Sequence, residues 1–229
     1  MRWPNIYRSP KFVLDSRSNE LLFRGQKYAK DCDENNTDPT VTRSPVYFSY
    51  NPKKNRFTPV SEYNKTYYCS MSALGAILET LVEFRAMDIS HIHTLEYASD
   101  ELAQYELICF KLPPKPQTKF TLLDLTAEGC LTSLREKQDT PILNSMDMQM
   151  SSYFADEALQ VGFAGIRYST RQSAKQALVL FEQTKLGFER ALVESRMSFL
   201  TYFKQNPQDM QLLNISIIDE KPIDHNDQS

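Results

Sequence analysis

The stretch Asn55–Phe84, NRFTPVSEYNKTYYCSMSALGAILETLVEF, decides how this chain is read. Its apolar, aromatic middle predicts a strand that Tyr68 ends. Ser72 then opens a helix, because a serine at that point can accept a hydrogen bond from an otherwise orphaned N–H. Leu74, Ile77, Leu78, Leu81 and Val82 recur at helical spacing. They predict a helix over Ser72 to Phe84 with that face on a core. Glu79 lies two turns inside it. Its neighbours one turn earlier are Gly75 and Ala76, the positions that lie beside it on a helix surface. Small neighbours leave room for another group to approach the acid. The plainer alternative is that Glu79 is a solvated surface acid and that Gly75 permits close packing against another element. Spacing alone favours the plainer alternative.

Upstream, Arg24 follows Leu21-Leu22-Phe23 and precedes Gly25. An arginine at the end of a buried strand faces either an anion or an ordinary ion-pair partner, and both remain open. The planar guanidinium suits phosphate, which it binds bidentately. Downstream, Tyr105–Leu112 (YELICFKL), Phe120–Leu125 (FTLLDL), Gly165–Ser169 (GIRYS) and Ala177–Phe181 (ALVLF) are short, apolar and bounded by breakers, so they read as strands. Leu212–Asp219 (LLNISIID) reads as a further strand. Ser152–Val161 fits a helix capped by its serine and stopped by Gly162. Phe188, Leu192, Phe199 and Phe203 keep one helical face and predict a long helix from Gln183 to Lys204. The strands do not alternate regularly with helices. That favours a mixed α+β domain with a bent antiparallel sheet over a doubly wound fold.

Composition narrows the functional classes. The chain has 229 residues, 41% hydrophobic and 11% aromatic, enough to bury a core. A net charge of -3 gives no bulk electrostatic grip on nucleic acid. No apolar run approaches the roughly 18 residues that would span a membrane. Met1–Ser18 has charge but no apolar segment of the secretory kind. The four cysteines, Cys32, Cys69, Cys109 and Cys130, lack CxxC or CxxH spacing, which favours free thiols over disulfides or zinc. Cys69 beside Tyr68 has no evident base to make it a nucleophile. His91 and His93 would share one side of a strand, but nothing else is spaced to complete a metal site. His225 falls in a polar tail, and the Met146, Met148, Met150 run reads as loop and core. Lys30–Pro45 and Lys111–Lys119 read as connectors.

Several of these pieces together resemble the RES domain family. Tyr68 through Glu79 is similar to that family's Tyr-x-x-x-Ser, Ala-Leu-x-Glu segment, with the Tyr-to-Glu spacing kept without a gap. Asn55-Arg56-Phe57 resembles its Gly-Arg-Phe/Trp segment with Asn in place of Gly, Arg24 its first arginine, and Asp38-Pro39 its Asp-Pro loop. Leu123-Asp124-Leu125-Thr126, Ala158 with Gly162 to Ser169, and Leu178-Val179-Leu180-Phe181 resemble its later segments in the same order. Two departures stand out. Tyr168-Ser169-Thr170 lacks the family proline, so the family serine is either Ser169 or Thr170. The asparagine expected near Ala177 is absent, with Gln176 the nearest polar residue.

The resemblance implies a fold like that of ADP-ribosyltransferases and an enzyme that consumes NAD, splitting nicotinamide from ADP-ribose by hydrolysis or phosphorolysis. It implies a toxin of a toxin–antitoxin module, acting in the cytoplasm, whose partner is a helix-turn-helix (Xre-type) antitoxin. Glu79, Arg56 and Tyr68 would be catalytic. Arg24, Arg56, Tyr68, Ser72, Ser169 and Thr170 would contact NAD as substrate, with no metal. Residues 1–182 would form the catalytic domain. Residues 183–229 lie outside the resemblance; their pattern alone predicts a helix, a strand and a polar tail packed on the same domain. The competing expectations are a transferase that modifies a protein from the same NAD site, and a non-catalytic interaction module that keeps the fold.

Overall fold

A computed structural model describes residues 6–27, 48–50, 56–81, 95–114, 117–127, 148–170 and 175–218. The Asp38-Pro39 loop, Asn55, Val82 to Phe84 of the expected helix, His91, His93, His225, Cys32, Cys130, Met146 and the polar tail lie outside the described residues.

Eight strands form one sheet in the order β1-β6-β7-β8-β3-β2-β5-β9. They are β1 (Lys11–Asp15), β2 (Leu22–Lys27), β3 (Thr66–Ser70), β5 (Tyr105–Lys111), β6 (Lys119–Asp124), β7 (Gly165–Ser169), β8 (Gln176–Phe181) and β9 (Leu192–Ser198). Neighbours are antiparallel except β6 and β7, which run parallel. Two further strands, β4 (Leu95–Ala98) and β10 (Ile215–Ile218), pair in parallel as a separate small sheet. The described helices are α1 (Ala73–Leu81), α2 (Ser99–Ala103), α3 (Met148–Gln160), α4 (Lys185–Phe188), α5 (Phe199–Gln205) and α6 (Pro207–Leu212). This is the mixed α+β domain with a mostly antiparallel sheet that the strand spacing predicts.

Strand alternation sorts the sheet into faces. On one face Ile166, Tyr168, Ala177, Val179 and Phe181 pack with Phe154, Ala155 and Ala158 of α3. Farther along that face, Leu107 packs with Leu74, Ile77 and Leu78 of α1, Leu102 of α2, and Phe199 and Phe203 of α5. The other face carries Leu22, Tyr67, Ile108, Phe110, Leu178 and Leu180, covered by Phe48 and Phe188.

Local chemistry sets the helix ends. Ser72 accepts the Gly75 N–H at 3.1 Å and so caps α1. Gly162, at φ +95°, ends α3. The Phe163 N–H reaching back to the Ala158 carbonyl completes a Schellman turn. The α3 helix starts at Met148, one turn before the expected Ser152 cap, and Ser152 is buried inside it.

The C-terminal expectation is corrected. No long helix runs from Gln183 to Lys204. After α4 the chain extends as β9 and helix resumes only at α5, where Ser198 accepts the Thr201 N–H at 3.0 Å. Phe188 packs against Tyr67 and Phe120, whereas Phe199 and Phe203 join the α1 core. Their helical spacing is therefore not one face. The open edge of β5 offers the Leu192–Ser198 segment a ladder of partners, and that tertiary pairing overrides the local pattern. Leu212 likewise ends α6 rather than opening a strand, and the strand begins at Ile215.

Candidate active site

The site sits where the sheet is nearly divided. β2 pairs with β5 along its whole length, and β3 pairs with β8 along its whole length. β2 and β3 meet at a single residue pair, Phe23 with Ser70. Beyond that pair the two strands part, and a pocket of about 170 Å³ opens between them. Its lining includes Arg24 and Gly25 of β2, Tyr68 and Cys69 of β3, Ala76, Glu79 and Thr80 of α1, and Tyr168 of β7.

Arg24 spans the parting. Its Nη1 donates to the Tyr68 carbonyl at 2.8 Å, a carbonyl that a continued ladder would have used. Its Nε donates to Gln26 Oε1 at 3.2 Å, and its guanidinium lies 4.6 Å from the Tyr67 ring centroid. Arg24 is the third of six residues in β2, so it lies within the strand rather than at its end. Tyr68 likewise lies mid-strand, two residues before the end of β3.

Glu79 projects from α1 toward β7 and is half-buried. The buried Tyr168 hydroxyl donates to Glu79 Oε2 at 3.1 Å. Burial pushes the Tyr168 phenol well above its ordinary value, the neighbouring Glu79 charge adds to this, and Arg56 opposes it. At neutral pH the phenol therefore keeps its proton and can only orient the carboxylate as a donor. The Tyr168 ring packs 5.1 Å from that of Phe57. The Phe57 N–H donates to the Tyr68 hydroxyl at 2.9 Å, and the Arg56 guanidinium lies 4.7 Å from the Phe57 ring centroid. Arg24, Tyr68 and Glu79, expected from separate stretches, thus line one pocket, while Arg56 lies against Phe57 and is not among the lining residues.

The small residues before Glu79 do a different job from the one first considered. A Cβ on Gly75 would lie 2.3 Å from Ser70 Oγ. The Ala76 carbonyl lies 2.8 Å from where a Cβ on Gly25 would be. These residues let α1 press onto β2 and β3. The close-packing alternative holds for Gly75, while Glu79 itself is half-buried rather than fully solvated.

Other expected contacts fall elsewhere. Ser72 uses its hydroxyl as the α1 cap and is not among the pocket-lining residues. Ser169 is exposed at the end of β7, and buried Thr170 donates its N–H to the Lys175 carbonyl. Neither lines the pocket. The Gln176 side chain accepts from Arg167 Nη2, on the sheet face opposite Tyr168, so it does not stand in for an asparagine in the pocket. Cys69 lines the pocket, but burial pushes its thiol up to about 12 against the pull of Arg24, so it is not a thiolate near neutral pH. Among the described residues no group of three or more His, Cys, Asp or Glu is placed to hold a metal ion. No described helix is long and apolar enough to cross a membrane.

Tyr168 was the residue that sequence reading left out of the site. Its signal was present: in GIRYS it shares a strand face with Ile166, and a core-facing tyrosine hydroxyl needs a buried partner.

A comparison with curated proteins gives no match. Among solved structures, one similar fold is a chain of the M. tuberculosis MbcT-MbcA toxin–antitoxin complex. It has 14% identity and a TM-score of 0.57, covering 89% of this chain and 94% of that one. The family model described as RES domain matches residues 39–201. That span takes in β3, α1 with Glu79, β7 with Tyr168, and β9, and by that match the chain belongs to the RES domain family.

Proposed function

We propose that this protein is an NAD-consuming toxin enzyme that cleaves the bond between nicotinamide and ribose in the pocket between β2 and β3. The observation that carries this reading is the Glu79 carboxylate, held by the proton of a buried tyrosine in a pocket that Arg24 also lines. Breaking an N-glycosidic bond passes through an oxocarbenium-like transition state, which a nearby carboxylate stabilises. Nicotinamide leaves as a neutral base from a cationic ring, so no strong general acid is required. Glu79 meets the positive charge that builds on the ribose and holds its hydroxyls. Water then adds to the anomeric carbon and gives ADP-ribose and a proton, or phosphate adds and gives ADP-ribose-1''-phosphate.

Arg24, which lines the pocket, and Arg56, whose charge acts on the pocket-lining Tyr168, are assigned to the pyrophosphate, and Tyr68 to stacking on the nicotinamide ring. The Arg24 guanidinium, hydrogen-bonded to Gln26, the Tyr68 carbonyl and the Tyr67 side chain, lines the pocket and is the cation assigned to a phosphate oxygen. At about 170 Å³ the pocket is smaller than sites that engulf a whole drug-sized ligand, about 300 Å³ and up. It suits the nicotinamide riboside end of the dinucleotide, with the adenylate outside. Ser72, Ser169 and Thr170 are not carried into this assignment, since none of them lines the pocket. The fold shared with a chain of a toxin–antitoxin complex supports a protein antitoxin as partner. The family resemblance makes that partner Xre-type and the place of action the cytoplasm.

The test is to incubate the purified chain with NAD, with and without inorganic phosphate, and to identify every product. Free nicotinamide with ADP-ribose or its 1''-phosphate supports the reading. Label from NAD appearing on protein instead favours a transferase. No nicotinamide release from NAD by folded protein overturns it.

A further inference from the structure

A row of side chains runs from the pocket to the far edge of the sheet and has no part in the chemistry above. Arg24 Nε donates to Gln26 Oε1 at 3.2 Å. Gln26 Nε2 donates to Glu106 Oε1 at 2.7 Å. Arg196 Nη1 of β9 donates to both oxygens of Glu106 at 3.1 Å. Gln26 is 6% exposed and Glu106 2%. A buried carboxylate is costly unless it is paired and hydrogen-bonded. Here it has a cation on one side and an amide on the other.

The row has a direction. A glutamine amide has one donor end and one acceptor end, while a carboxylate paired with arginine only accepts. Glu106 therefore draws the Gln26 NH₂ toward itself, which turns the Gln26 oxygen toward Arg24. An inverted amide would set oxygen against carboxylate and NH₂ against guanidinium, losing both bonds. With Nε held by Gln26 and Nη1 by the Tyr68 carbonyl, two edges of the guanidinium are fixed. The Tyr67 side chain, also hydrogen-bonded to this guanidinium, adds a third hold, and the cation so fixed lines the pocket.

We propose that Gln26 and Glu106 are positioning residues that lock the guanidinium of Arg24 in the orientation that receives the pyrophosphate. The assignment of a ligand rests on the function proposed above; the locking of Arg24 does not. Arg24 sits where β2 has lost its ladder to β3, so the sheet alone does not hold it. Glu106 and Arg196 tie that hold to β5 and β9, on the side of β2 away from the parting.

The test follows the Arg24 Nε–H directly by ¹⁵N NMR of the full chain, its signal identified by loss in Arg24→Lys. In the wild type this proton should exchange slowly with water. Gln26→Met keeps the side-chain length but removes both bonds, and should speed exchange by about tenfold, the scale of one hydrogen bond's net worth. If Gln26→Met fails to fold, Glu106→Gln, which keeps the size but no longer dictates the amide, serves in its place. The double variant Gln26→Glu/Glu106→Gln reverses the row: the carboxylate at 26 accepts from Arg24 and from the amide at 106, and that amide's oxygen accepts from Arg196. It should restore slow exchange, a rescue that a merely structural role does not predict. With NAD, the single variant should raise KM about five- to tenfold while kcat stays within about twofold, and the double variant should reverse the change. Unchanged Arg24 exchange in the single variant, or no restoration in the double, overturns the positioning role. A wild type that does not act on NAD but shows the exchange pattern overturns the proposed function and upholds the locking of Arg24.

Discussion

Replacing Tyr168 by phenylalanine removes one oxygen and leaves the ring against Phe57, 5.1 Å centroid to centroid. That oxygen carries the proton aimed at Glu79 Oε2, 3.1 Å away. Hydrogen bonds to charged groups contribute about 1.5–3 kcal/mol. A separation of 3.1 Å is at the long end for a hydroxyl donor, which places this one near the lower figure. If the bond serves to aim the carboxylate, about 1.5 kcal/mol should appear in the barrier, roughly a tenfold fall in kcat. The effect on KM should be small, because Arg24 and Tyr68 are untouched. Nicotinamide release across NAD concentrations gives both constants, and a thermal melt gives the stability. An unchanged kcat would refute the reasoning. So would a fall in kcat matched by a gross loss of structure, since the hydroxyl would then be structural.

Other outcomes follow from the same geometry. Gly25→Ala puts a Cβ 2.8 Å from the Ala76 carbonyl and 2.2 Å from Thr80 Oγ1. Such overpacking costs about 1–3 kcal/mol, so the melting temperature should drop about 2–4 °C for each kcal/mol and turnover should fall as α1 is pushed off β2. An unshifted melt would show that α1 does not rest on β2 as described. Arg24→Ala and Arg56→Ala should each weaken NAD binding by calorimetry more than they lower the melting temperature, and unchanged affinity in both would remove the pyrophosphate assignment. Cys69, its thiol pushed up to about 12 by burial, should resist alkylation at pH 8 in the native protein and react once denatured; fast native labelling at Cys69, read by peptide mass, would contradict its burial.

Much of this arrangement was legible in the sequence where local rules govern. The Ser72 cap, the apolar stripe of α1, the Gly162 stop and the strands from Tyr105 to Phe181 all follow from short-range chemistry, and each is present in the fold. Arg24, Tyr68 and Glu79, drawn from separate stretches, line one pocket. The segment after Gln183 was misread because its phenylalanines happen to fall at helical spacing while serving three-dimensional neighbours on opposite sides of the sheet. Long-range pairing with β5 decided that segment, and no local pattern carries it. Nor could spacing show that β2 and β3 touch at one residue pair, which makes the pocket, or that Gln26 and Glu106 lie beside Arg24. Tyr168 fell between these cases: its strand was evident, but its partner lay 89 positions away on α1.

The most direct measurement is nicotinamide release from NAD by the wild type and by Glu79→Gln, with both proteins shown to be folded by their melting curves. The substitution exchanges one carboxylate oxygen for an amide of the same shape, so the Tyr168 hydroxyl can still find an acceptor. Loss of a transition-state electrostatic contact of this kind lowers kcat by about 10²–10³. The account predicts clear release by the wild type and a fall of that size in the variant at a nearly unchanged melting temperature. A folded Glu79→Gln protein that retains most of the wild-type rate would contradict it.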